Sequence, residues 1–184
     1  MKYRIILTGA QGTGKTTLNN ILHEFLPDYK VIDSMSAQFF TKELLKNINS
    51  PEYMKAQNDI YDFAEAQYLE DVPYISSRGF ADSYAYINHS KDKSAYGVYD
   101  ELLKRNFMNQ KKLLRASENR VYHFYTPIEF EIESKELRSS NKAFQKEIDE
   151  SIVEFLNGTK TPYTTLSGTP KQRVSQVLRT LGLE

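Results

Sequence analysis

Apolar and polar positions alternate along this chain in two kinds of block. Short runs rich in β-branched and aromatic residues predict strands over residues 2–7, 30–33, 73–77, 121–125 and 163–166. Between them, apolar residues recur at helical spacing. Leu18, Ile21, Leu22 and Phe25 fall at i, i+3, i+4 and i+7, predicting a buried face on a helix from Lys15 to about Leu26, just before Pro27. Helices are likewise predicted over 36–47, over 52–70 with Tyr53, Ile60, Tyr61, Ala64 and Tyr68 on one stripe, and through Ala85 and Tyr86. A long helix over about 94–117 carries Leu103, Phe107 and Leu114 on one line. Phe144, Ile148, Ile152, Phe155 and Leu156 mark a helix stopping at Asn157-Gly158, and Thr169-Pro170-Lys171-Gln172 opens the last one as a capping box with proline at its first position. Five strands alternating with helices demand an α/β fold with a doubly wound five-stranded parallel sheet and right-handed crossovers. We expect one domain over residues 1–184.

The first strand runs into Gly9-Ala10-Gln11-Gly12-Thr13-Gly14-Lys15-Thr16-Thr17, a full match to G-x-x-x-x-G-K-[ST]. Glycines at 9, 12 and 14 let the backbone approach a ligand closely, and the N–H groups of the loop and of the following helix N-terminus favour anionic oxygens. Gly9, Gly12, Thr13, Gly14, Lys15, Thr16 and Thr17 are therefore the candidate nucleotide-binding residues. Lys15 supplies charge to the β- and γ-phosphates, and the Thr16 hydroxyl is the candidate Mg²⁺ ligand.

Composition narrows the partners. Lysine plus arginine and aspartate plus glutamate number 24 each, so no global field draws the chain to nucleic acid or to an anionic membrane. Cysteine is absent, which excludes disulfides and zinc–thiolate sites and leaves Mg²⁺ on oxygen ligands as the expected metal chemistry. The N-terminal apolar run is too short for a signal-peptide core and no later stretch approaches a membrane span, so a soluble cytoplasmic protein without membrane contact is expected.

Strand ends supply the other candidates, because ligands of open α/β sheets bind beyond the carboxyl ends of the strands. Asp33 closes the second strand as a general base or Mg²⁺ organiser, with a helix N-cap as the alternative. Arg78 follows the third strand with Asp82 four residues on; the pair can clamp and orient a hydroxylated or anionic substrate, or simply bond to each other. Lys104, Lys111 and Arg115 fall within about 40° of one another on the long helix, a face for phosphates or, more simply, for solvent. The charged segment at about 129–141, with Arg138, is a candidate lid whose guanidinium can stabilise a transferring phosphoryl group. His23, His89 and His123 read as packing or surface residues.

Taken together, these segments resemble the small P-loop kinases. The nearest resemblance is to the NadR-type, ribosylnicotinamide-kinase-like group of AAA-family ATPases, related to thymidylate and deoxynucleoside kinases. It is carried by Gly9 to Thr17; by Ser77-Arg78-Gly79-Phe80-Ala81-Asp82 with Ala85-Tyr86; by Leu137-Arg138 with Phe144-Gln145-Lys146-Glu147-Ile148-Asp149; and by Leu166-Ser167-Gly168 with Arg173-Val174. Two departures stand out: Ser77 where the group has an acid, and Ser36 where it has an arginine. The resemblance implies a P-loop NTPase topology with a short lid and an ATP- and Mg²⁺-dependent phosphotransferase. Lys15, Asp33, Arg78 and Arg138 would be catalytic, and Asp33, Arg78 and Asp82 would bind a small nucleoside, nucleotide or related metabolite. A homodimer is left open. A polynucleotide acceptor, at a strand end or a hydroxymethylpyrimidine in DNA, is the less favoured alternative, and a nucleotide-binding switch with little transferase activity is a third.

Overall fold

The structure is a computed structural model that describes residues 2–33, 39, 41, 43–44, 50–91, 98–116, 120–129 and 142–184. Its strands are β1 (Arg4–Thr8), β2 (Lys30–Ile32), β3 (Tyr74–Ser76), β4 (Val121–Tyr125) and β5 (Tyr163–Thr165), all parallel in the order β2-β3-β1-β4-β5. The expected five-stranded parallel sheet is therefore present. Beside the strands run α1 (Lys15–Phe25), α2 (Pro51–Leu69), α3 (Phe80–Lys91), α4 (Val98–Ala116), α5 (Lys142–Gly158) and α6 (Pro170–Thr180). Ser36, Arg138, most of the helix expected over 36–47 and the lid from residue 130 onward lie outside the described residues.

Strand alternation sorts the core onto two faces. Ile5, Leu7, Ile75, Phe124 and Leu166 meet Leu18 and Leu22 of α1 and Val174, Val177 and Leu178 of α6. Ile6, Ile32, Tyr74 and Tyr125 point the other way, into a cluster with Tyr61, Phe80, Leu102, Ile152 and Phe155 from α2 to α5. Burying such side chains from both faces stabilises a parallel sheet by roughly 25 cal/mol per Å² of apolar area removed from water.

Two expectations about faces need correction. Phe25 is 58% exposed, because α1 ends there and Leu26 packs on the core instead. On α4 Leu103 and Phe107 of the expected line do pack on the core, but the buried face is wider and takes in Tyr99, Leu102, Asn106, Asn109, Gln110 and Leu113 beside them. Amides hide this face from a reading of apolar residues alone. They are accommodated by hydrogen bonds: Gln110 Nε2 reaches Thr161 Oγ1 at 3.0 Å and the ring of buried His123 at 3.1 Å, and Asn109 donates to the Tyr61 hydroxyl at 2.9 Å. No described helix is long and apolar enough to cross a membrane.

Candidate functional site

The helices differ at their starts. Ser50 caps α2 and Thr169 with Gln172 closes a complete capping box on α6, but α1 opens from Gly14 with no side-chain cap and no acid in its first turn. Its first N–H groups are thus left for another acceptor, and the positive end of its dipole faces the loop. Gly9, Gly12 and Gly14 have φ of 150°, 81° and 87°. Gly9 is further constrained by space, since a Cβ there would lie 2.3 Å from the Thr126 carbonyl oxygen. Lys15 is buried and turns its Nζ to the Gly9 and Ala10 carbonyl oxygens at 2.6 and 2.7 Å, whereas Thr16 and Thr17 are exposed.

Asp82 ties this loop to the sheet. It is fully buried, and its carboxylate accepts from Thr8 Oγ1 at 2.7 Å, Gly9 N at 3.3 Å and Gly79 N at 2.9 Å. Those bonds join the end of β1, the first loop glycine and the turn before α3. Asp82 thus faces inward to the loop, holding it from behind. From the other side, Thr126 beyond β4 donates to the Thr8 carbonyl at 3.0 Å, and its hydroxyl meets that of Thr13 at 2.9 Å.

Beyond the ends of β2 and β3 lies the second group of candidates. Asp33 is exposed and accepts from Asn19 Nδ2 of α1 at 3.2 Å. Arg78 is half-buried with its guanidinium 5.0 Å from the centre of the Tyr86 ring, a cation–π contact. Burial pulls its pKa down, but Tyr86 and Asp82 outweigh this and raise it, so the charge is held firmly. Tyr86 in turn donates to Gln11 Oε1 of the phosphate loop at 3.1 Å. The loop and Arg78 are therefore linked through one aromatic ring.

Sequence reasoning assigned no role to three further residues at the loop. Gln145 of α5 donates to the Gln11 carbonyl at 2.8 Å. One turn on, Asp149 accepts from the Tyr125 hydroxyl at 2.6 Å. Burial raises the pKa of Asp149, against the pull of Tyr125, the Ala10 N–H and the Lys15 charge. Buried Arg173 of α6 donates to the Thr13 carbonyl at 2.7 Å and to Glu129 Oε2 at 2.9 Å, and the same Glu129 oxygen accepts from Gly168 N. Gln145 and Arg173 are polar residues on otherwise apolar helix faces, a signal that marks them as unusual without saying what they meet. The Lys104, Lys111 and Arg115 side chains are exposed on α4, and Lys111 and Arg115 lie in its second half, toward the end from which the chain enters the start of β4.

The residues fit a phosphate-bound Mg²⁺. Thr16 offers an exposed hydroxyl in the uncapped first turn of α1, beside the N–H groups that face the loop. Hard oxygen donors of this kind suit Mg²⁺. No cluster of three or more His, Cys, Asp or Glu able to hold a metal occurs among the described residues, so phosphate oxygens and water would complete its shell.

The strand order, the glycine loop leading into an uncapped helix and the buried lysine define a P-loop nucleotide-binding protein with the nucleoside and nucleotide kinase fold. Within that class the chain belongs to the AAA_28 family, an AAA domain, which it matches over residues 4–173. Deoxyadenosine kinase from M. mycoides with bound dCTP shares the fold at a TM-score of 0.66 and 14% identity, over 99% of either chain. Thymidylate kinase from Candida albicans is similar at a TM-score of 0.63 and 17% identity, over 98% of this chain and 92% of that one. The M. mycoides kinase with the products dCMP and dCDP gives 0.62 and 12%, over 97% of this chain and 98% of that one. No curated protein matches this chain in sequence.

Proposed function

We propose that this protein is an ATP- and Mg²⁺-dependent kinase that moves the γ-phosphoryl group to a hydroxyl or phosphate of a nucleoside, nucleotide or related metabolite. The observation that carries the reading is the meeting of two groups of residues at one sheet edge: a glycine loop with Lys15 and Thr16, and Asp33 and Arg78 beyond β2 and β3. The kinases whose fold it shares act on deoxynucleosides and nucleotides, which supports the acceptor class.

In this reading the loop N–H groups, the start of α1 and Lys15 bind the triphosphate. Lys15 exchanges the Gly9 and Ala10 carbonyls for the stronger acceptors of the β- and γ-phosphates. Thr16 would hold Mg²⁺, which would supply neutralisation of the phosphate charge. Asp33 takes the proton of the acceptor hydroxyl as its oxygen bonds to the γ-phosphorus and the bond to the β–γ bridging oxygen breaks. Arg78 orients the acceptor from the ring of Tyr86, and Asp82 acts behind both by fixing Gly9 and Gly79. Arg138 is assigned to charge stabilisation on its residue type and sequence position. Such a transfer depends on positioning and electrostatics, which this set of residues provides.

The NadR-type assignment is the finer form of this proposal and names ribosylnicotinamide as one acceptor to include. The small-molecule reading is favoured over a polynucleotide acceptor because basic and acidic residues balance at 24 each, leaving no global field toward a polyanion. Transfer of γ-labelled phosphate from ATP to a panel of nucleosides, nucleotides and ribosylnicotinamide tests the proposal. Labelled product is expected with at least one of them; none across the panel would count heavily against it.

A further inference from the structure

One buried polar group near the site is not explained by the phosphate loop. Asn19 lies in the middle of α1, flanked by the core residues Leu18 and Leu22, and is 0% exposed. Asparagine is a poor choice for a helix interior, and burying its amide requires partners for both ends. Among the described residues only one end has a partner: Nδ2 donates to Asp33 Oδ1 at 3.2 Å, while no described donor reaches the buried Oδ1.

A second orphan lies on the adjoining strand. Ser77 is 2% exposed and its Oγ is also buried without a partner among the described residues. Ser77 N bonds the Ile32 carbonyl at 3.2 Å, which places it beside the residue preceding Asp33. By strand alternation it follows Ile75 onto the face covered by α1. A single hydrogen bond to an exposed carboxylate returns less than two desolvated oxygens cost, so stability does not account for Asn19. Orientation of the carboxylate does.

We propose that Asn19 is a positioning residue, which aims the Asp33 carboxylate at the acceptor hydroxyl and is itself fixed by an ordered water shared between its carbonyl oxygen and the Ser77 hydroxyl. The inference rests on the kinase reading for the role of Asp33. Its geometry can be tested without that reading.

Asn19→Ala, Asp33→Asn and the double variant are compared in phosphoryl transfer and thermal melting. Asn19→Ala is expected to lower kcat about tenfold or more, with the KM for ATP within about twofold and the melting temperature unchanged or higher. The double variant should be no slower than Asp33→Asn alone. Effects that multiply in the double variant, or a change in the KM for ATP with kcat intact, would overturn the proposal. Asn19→Leu, which suits the surrounding core, serves should the alanine variant fail to fold. Independently of activity, the side-chain amide resonances of Asn19 in the ligand-free protein should shift on Asp33→Asn, and unchanged resonances would also overturn it. Wild-type protein that transfers no phosphate but shows the resonance shift would defeat the kinase reading while leaving the Asn19–Asp33 contact established.

Discussion

The two sides of the site are built to different rules. Around the phosphate loop, Thr8, Asp82, Thr13, Thr126, Gln145 and Arg173 are all buried and joined to the loop or to one another by hydrogen bonds. On the other side, Asp33 is exposed beside a single amide and Arg78 rests against a tyrosine ring. A triphosphate presents the same oxygens whatever follows, so a rigid cradle meets it without reorganisation. In the proposed kinase the acceptor would be selected by these few and more accessible groups.

That contrast can be broken most readily at Asp82. Asp82→Ala leaves the Thr8 hydroxyl and the Gly9 and Gly79 N–H groups without their acceptor in the interior. A loss of about 3–5 kcal/mol in urea denaturation is expected, with ATP binding lost alongside. If the variant kept both, the loop side would not be held as described.

Acid should also act on the core, at β4. His123 is buried and its pKa is lowered by burial from 6.5 to about 4. The unfolded chain therefore takes up the proton first as pH falls. Stability is complete above about 6.5, declines through the window down to about 4, and the total loss is about 3 kcal/mol. Denaturation at pH 7 and pH 4.5 measures it, and His123→Leu should flatten the slope.

The smallest effect is expected on the acceptor side. Tyr86→Phe keeps the ring under Arg78 but removes the hydroxyl that reaches Gln11. Loss of that bond and of the hydroxyl's support of Arg78 should raise the acceptor KM by about tenfold, leave ATP binding within about twofold and barely change stability. An equal effect on ATP would mean that the two sides are one unit.

The same difference explains what could be read from the sequence. The loop announces itself because its glycines, lysine and threonine are contiguous, and the strands because burial on both faces makes them short continuous runs of apolar and aromatic residues. The capping box at Thr169 and Gln172 formed as its spacing predicts. Asp82 was picked out for a substrate, and its carboxylate is instead directed to Thr8, Gly9 and Gly79, because a local i, i+4 spacing says nothing about which distant strand an acid will meet. Gln145, Asp149 and Arg173 come from helices more than 125 residues along the chain from the loop. Only tertiary packing assigns them. Asn19 was masked by its apolar neighbours, and the amide face of α4 by the absence of leucines on it.

The central claim is that the two sides act on one phosphoryl group. The most direct test follows γ-labelled ATP in the presence of Mg²⁺ and the best acceptor, measuring how the label divides between acceptor and inorganic phosphate. Wild-type protein should place most of the label on the acceptor, and Lys15→Ala should lower the transfer at least about a hundredfold. Label released only as inorganic phosphate, or left on ATP with every acceptor tried, would contradict the account.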